Sequence, residues 1–222
     1  MLKEEKEQWG KLKDKPLKEK ISYFWYYYKF YVIGVILGII CLIIFIRGYM
    51  ESMKEPSIYV ALINSGYMSI AETSLMDDYV ESRNINTASS PARFDISISM
   101  TQGTADNASV ANSQKLMALF QTHAMDVIIS DAWVLEEYAS LSAFGNLEAL
   151  LPEDLYEKVQ DRLYFYTFPD GSRIPIGFYG DELPKLMEDP GYSKENPPVV
   201  AISGTTDRLE SAVDFIRYLL EE

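Results

Sequence analysis

Apolar and polar positions fall into two regimes along the chain: an unbroken apolar block near the N-terminus, and short patterned runs after it. Residues 26–46 read YYYKFYVIGVILGIICLIIFI, with Lys29 as the only charge. At the rise of an α-helix this block is about 31 Å long, enough to cross the hydrocarbon core of a bilayer. Such uniform apolarity predicts a transmembrane helix. Lys29 lies within about a turn of one end and can snorkel to the interface. Ahead of the block, Pro16 can open a helix, and Leu17, Ile21, Phe24 and Tyr28 then fall on one face among lysines. That pattern fits either a short interfacial helix or a continuous extension of the membrane helix. Tyr23, Phe24, Trp25, Tyr26, Tyr27 and Tyr28 form an aromatic belt suited to headgroup level.

After residue 56 the pattern alternates. Residues 58–63 (IYVALI) suit a buried strand. Met68, Ala71, Leu75 and Tyr79 then recur at helical spacing. Residues 94–100 (FDISISM) alternate like a strand, and a helix with Val110, Leu116, Met117 and Phe120 inward follows. Residues 127–129 in DVIISD form the clearest third strand, with Asp131 placed to cap a helix carrying Trp133, Leu135 and Tyr138. Residues 147–159 read as helical, restarting at Pro152. Residues 163–168 and 173–178 flank Pro169-Asp170-Gly171-Ser172, a hairpin turn signal. Pro197-Pro198 breaks the chain before a strand at 199–202. Leu209, Ala212, Val213, Ile216, Leu219 and Leu220 close it as a well-phased helix. Alternating strands and helices predict an α/β fold: a mainly parallel sheet with helices on both faces, plus one antiparallel β-hairpin.

Charge sharpens the division. The first 50 residues carry nine Lys and Arg against five acids, whereas the whole chain has a net charge of −13. The part after residue 50 is therefore strongly acidic, at −17, which argues against nucleic acid or anionic lipid as its partner. Lys11, Lys13, Lys15, Lys18, Lys20 and Lys29 precede or open the apolar block, and only Arg47 and Lys54 follow it closely. The positive-inside rule then places the N-terminus in the cytoplasm and the C-terminal domain outside the cell. The block is followed by Arg47-Gly48-Tyr49-Met50, which offers no A-x-A-like cleavage site. The single cysteine, Cys41, lies inside the block, so an intramolecular disulfide is excluded and an ordinary membrane-buried thiol is expected. These readings divide the chain into a basic and aromatic segment (1–25), a membrane helix (26–46), a linker (47–56) and an extracellular α/β domain (57–222). Gly34 and Gly38 are a GxxxG pair that lets two helices approach closely, a route to a homodimer.

Catalytic motifs are missing from the pattern. His123 is the only histidine and follows the apolar face of Leu116, Leu119 and Phe120, so a structural or exposed role is expected. No GxSxG, Walker loop or HExxH occurs, and no cysteine lies outside the apolar block, which removes the usual zinc sets. The acid pairs Asp77-Asp78, Glu136-Glu137, Glu153-Asp154 and Asp181-Glu182 are adjacent in sequence and point apart on a helix, which suits a solvated face better than a shared proton. Neither a cofactor nor a metal is expected, and the chain reads as a non-enzyme. An open parallel sheet does offer a crevice beyond the carboxyl ends of its strands. Asn64, Ser65, Thr101, Gln102, Ser130, Asp131, Trp133 and Thr205 are the residues expected there, facing a small polar ligand. The same residues also suit turns and helix caps.

Asp126-Val127-Ile128-Ile129-Ser130-Asp131, a helix, and then Leu147-Glu148-Ala149-Leu150-Leu151-Pro152 resemble the extracellular solute-binding proteins of the type 2 periplasmic-binding fold. Residues 173–180 (RIPIGFYG) resemble that family's approach to its hinge, and residues 200–203 followed by 206–220 resemble its late strand and helix. Residues 18–29 are similar to a group of Gram-positive bacterial membrane proteins that carry a small ectodomain. The resemblance implies a solute-binding-like domain, but the chain after residue 56 suffices for only one of the two lobes that close on ligand in such receptors. It implies a one-lobed relative presented to a small polar ligand or a protein partner. The alternative is an assembly subunit of a cell-envelope complex with no small ligand.

Overall fold

A computed structural model describes residues 16–103, 106–187 and 191–221. The chain divides into two compact units, Met1–Lys54 and Glu55–Glu222.

In the first unit, helix α1 runs unbroken over Leu17–Ser52. Its backbone is continuous from the expected interfacial segment into the apolar block, so of the two readings of residues 16–28 the extension is the one observed. Lys11, Lys13 and Lys15 lie outside the described residues. Within α1 the stretch Tyr28–Met50 is 23 residues long and apolar enough to cross a membrane. The segment expected to begin a linker at residue 47 is helical to Ser52, because Arg47 and Gly48 together are too weak a break to end a long helix.

The second unit is a six-stranded sheet in the order β2-β1-β3-β6-β5-β4. Its strands are β1 (Ile58–Leu62), β2 (Ala92–Asp95), β3 (Val127–Ser130), β4 (Leu163–Thr167), β5 (Arg173–Tyr179) and β6 (Val199–Ile202). Its helices are α2 (Leu75–Ser82), α3 (Asn107–Gln121), α4 (Ala132–Ala139), α5 (Leu147–Leu150), α6 (Glu153–Val159) and α7 (Leu209–Leu219). β1 and β6 are apolar throughout and β3 is apolar up to Ser130, because both of their faces are covered. Val60, Leu62, Val127, Ile129 and Val200 face a core completed by α2, α5, α6 and α7. Ala61, Ile63, Ile128, Val199 and Ala201 face a second core under α3 and α4. α7 buries Ala212, Phe215, Ile216 and Leu219, an i, i+3, i+4, i+7 stripe.

The sheet is mixed rather than mainly parallel. β1 pairs parallel with β2 and β3, but β6 runs antiparallel to both β3 and β5, and β4 runs antiparallel to β5. The cause is the connection after β5. The described residues of this stretch, 180–187 and 191–198, form no helix; the Gly180 N–H donates to the Pro198 carbonyl (2.8 Å), so the chain re-enters the sheet at the end it left. A strand begun there must run back. Gly177 permits the close β5–β6 approach, since a Cβ there would lie 2.8 Å from the Val200 carbonyl oxygen.

Three local expectations change. The helix expected from Met68 onward splits into a 3-10 turn at Ile70–Glu72 and α2, leaving Met68 91% exposed. Pairing in β2 ends at Asp95, but Ile98 and Met100 remain buried as the extended chain continues past it. In α3, Leu116 and Phe120 point inward as expected, whereas Val110 is 44% exposed.

Candidate functional site

At the carboxyl ends of β1 and β3, where the crevice was expected, Asn64 and Asp131 are bonded to each other and to neighbouring segments. Asn64 takes a left-handed conformation (φ 56°), which turns its side chain across the end of the sheet. Its Oδ1 accepts from the Met100 N–H (2.7 Å), and its Nδ2 donates to Asp131 Oδ2 (2.7 Å). Asp131 is the N-cap residue of α4 but makes no side-chain cap bond. Its carboxylate instead accepts from the amides of Asn64 and Asn196. The Ser130 hydroxyl donates to the Asp131 carbonyl (3.2 Å).

A strap over residues 191–198 closes this end. The Tyr192 hydroxyl reaches the Ile63 and Ile129 carbonyls (3.0 and 2.9 Å), and the Gly191 carbonyl accepts from the Gly66 N–H (2.7 Å). Burial, followed by the nearby Asp131 charge, pushes the Tyr192 phenol well above its ordinary pKa, so it stays a neutral donor. The Ser65 hydroxyl is buried without a hydrogen-bond partner. Sequence patterning did not single out Tyr192 or Asn196; the only signal near them was the Pro197-Pro198 break that ends the strap.

Two of the expected residues meet elsewhere. Thr101 and Trp133 line an open cleft of about 200 Å³ between α3 and α4. Ser109 and Ser113 of α3 form one wall, and Trp133 and Glu137 of α4 form the other. Each pair is spaced i, i+4, so each presents a single face of its helix. Met100 lies beneath, with Thr101 and Gly103 at the rim. Ser113 donates to the Met100 sulfur (3.5 Å). Gln102 is exposed and does not line the cleft.

Thr205 does not join either group. Because β6 runs backward, its carboxyl end lies beside the start of β3, at the opposite end of the strands from Asn64 and Asp131. The Thr205 hydroxyl donates to the Phe120 carbonyl (3.0 Å) and lines a separate apolar hollow of about 450 Å³ with Met117, Leu141 and Ala143. That end holds a buried ionic knot. Asp126, with no exposed surface, accepts from the Tyr59 N–H (2.7 Å), Arg208 Nε (3.0 Å) and the Thr206 hydroxyl.

Several other titratable groups have partners of their own. His123 adopts φ 55° and sets Nδ1 3.3 Å from Asp207 on the surface. Asp154 pairs with Arg217 (2.6 Å) and Glu182 with Arg162 (3.5 Å). Glu136 accepts from the Tyr164 hydroxyl (2.8 Å). Among the described residues there is no group of three or more His, Cys, Asp or Glu able to hold a metal ion. In α1, a Cβ added at Gly34 or Gly38 meets nothing within 4 Å, so that face of the helix is open. No protein-family model, curated protein or solved structure matches the chain.

Proposed function

We propose that this chain is a membrane-anchored, non-enzymatic binding module that holds a single solute-binding-like lobe on the extracellular face. α1 is the anchor, entering the bilayer with its basic end in the cytoplasm. The α3–α4 cleft is the surface that receives a small polar ligand. The observation that carries this reading is the contrast between engaged and open side chains: Asn64 and Asp131 bond each other and the strap, while Trp133, Glu137 and the two serines line an open cleft. A non-enzymatic role is supported by the lack of any motif tying a nucleophile to a base, and by His123 being engaged with exposed Asp207.

One observation favours a second reading, an assembly subunit of a cell-envelope complex. β4 is an edge strand whose sequence, LYFYT, carries no charge, and Phe165 on it is exposed. Uncharged edges are templates for pairing with another chain. A thermal-shift screen of the detergent-solubilised full chain against small polar solutes separates the two. The binding-module reading expects a solute that raises Tm in the wild type and not in Trp133→Ala. If no solute shifts Tm, while crosslinking in cells traps one stoichiometric protein through β4, the assembly reading replaces it.

A further inference from the structure

The α3–α4 cleft is lined by charge of one sign only. Glu137 is its only charged liner, and among the described residues no basic side chain pairs with it. The Ser113 hydroxyl lies 3.5 Å from the Met100 sulfur, and its lone pairs can accept from a ligand. The Ser109 backbone N–H, which at a helix start could have met an anion, is taken by Asp106 (2.7 Å). That bond, together with one from the Ser109 hydroxyl, holds the Asp106 carboxyl below its usual range, so the helix entrance adds a second negative charge. Trp133 contributes an indole, the strongest side-chain partner for a cation above its face.

Resting on the binding-module reading, we propose that the cleft receives a small organic ammonium. Its N–H groups donate to Glu137 and Ser113, and its carbon skeleton lies against Trp133 and Met100. The volume of about 200 Å³ equals roughly six or seven water volumes, room for an amine of a few carbons. The acidic surroundings draw a cation in and repel a carboxylate of the same size.

The test uses the full chain in detergent with Trp9→Phe and Trp25→Phe, which leaves Trp133 as the only tryptophan. n-Butylammonium, n-butanol and butyrate are titrated at constant ionic strength while Trp133 emission is followed. A saturable response to n-butylammonium, at least ten-fold weaker in Glu137→Gln and absent with butyrate, supports the proposal. A response of equal strength to n-butanol that Glu137→Gln leaves unchanged overturns it, while keeping the cleft as a binding surface. Silence toward all three probes overturns it and also removes the cleft from the binding-module reading.

Discussion

Strand β3 carries a buried aspartate at each end, and the two are built differently. Asp126, at its start, meets a guanidinium, a hydroxyl and a backbone N–H, which join β1 to the turn before α7. Asp131, 8% exposed at its end, meets two neutral side-chain amides among the described residues, one from the β1 exit and one from the strap. A buried carboxylate paired with a cation is costly to break, because removing one partner strands the other. Hydrogen bonds from neutral amides are worth less, and a strap held by them can loosen without unfolding the sheet. The first end is thus a fixed lock of the fold, and the second a weaker closure over the place where a ligand crevice was expected.

The largest effect that would break this comparison is at Asp126. Asp126→Ala leaves Arg208 beside a buried gap and is expected to cost about 3 kcal/mol, measured as a lowered urea midpoint of the solubilised full chain. Asp131→Ala is expected to cost about 1–2 kcal/mol. Its signature is faster hydrogen exchange in residues 191–198 with β1 and β3 still protected. An Asp131→Ala loss matching that of Asp126→Ala would erase the distinction. Asn196→Ala removes one amide and is expected to cost about 1 kcal/mol, with the same exchange pattern confined to the strap.

A smaller effect concerns pH. Burial raises the Asp95 carboxyl, but hydrogen bonds from Lys115, Ser97 and Tyr59 outweigh it and hold the pKa at about 2. A depressed folded pKa means that this contribution is fully present above the unfolded value, near pH 4, and is lost as pH falls toward 2. After solvent screening the loss is on the order of 1 kcal/mol. Stability measured across that window should fall less in Lys115→Met than in the wild type.

Periodicity made most elements legible. β1, β3, β6 and α7 came from apolar runs and a helical stripe, and the hairpin from Pro169-Asp170-Gly171-Ser172. The direction of β6 was not legible. Its apolar run fits either direction, and what decides it is the long-range closure of Gly180 onto Pro198, which returns the chain to the end it left. That reversal is what moved Thr205 away from Asp131. Thr101 and Trp133 were expected in a crevice at the strand ends, but the cleft they line depends on Ser109, Ser113 and Glu137 lying across from one another. Such a juxtaposition comes from packing α3 beside α4, and no local pattern encodes it. Tyr192 and Asn196 sit in an irregular strap whose role emerges only from long-range hydrogen bonds.

The central claim is that one apolar helix holds the acidic α/β unit outside the cell. Intact cells carrying the full chain with a C-terminal tag can be treated with an external protease. The account predicts loss of the tag and retention in the membrane of a fragment containing Tyr28–Met50. A tag that survives until the membrane is opened would contradict it.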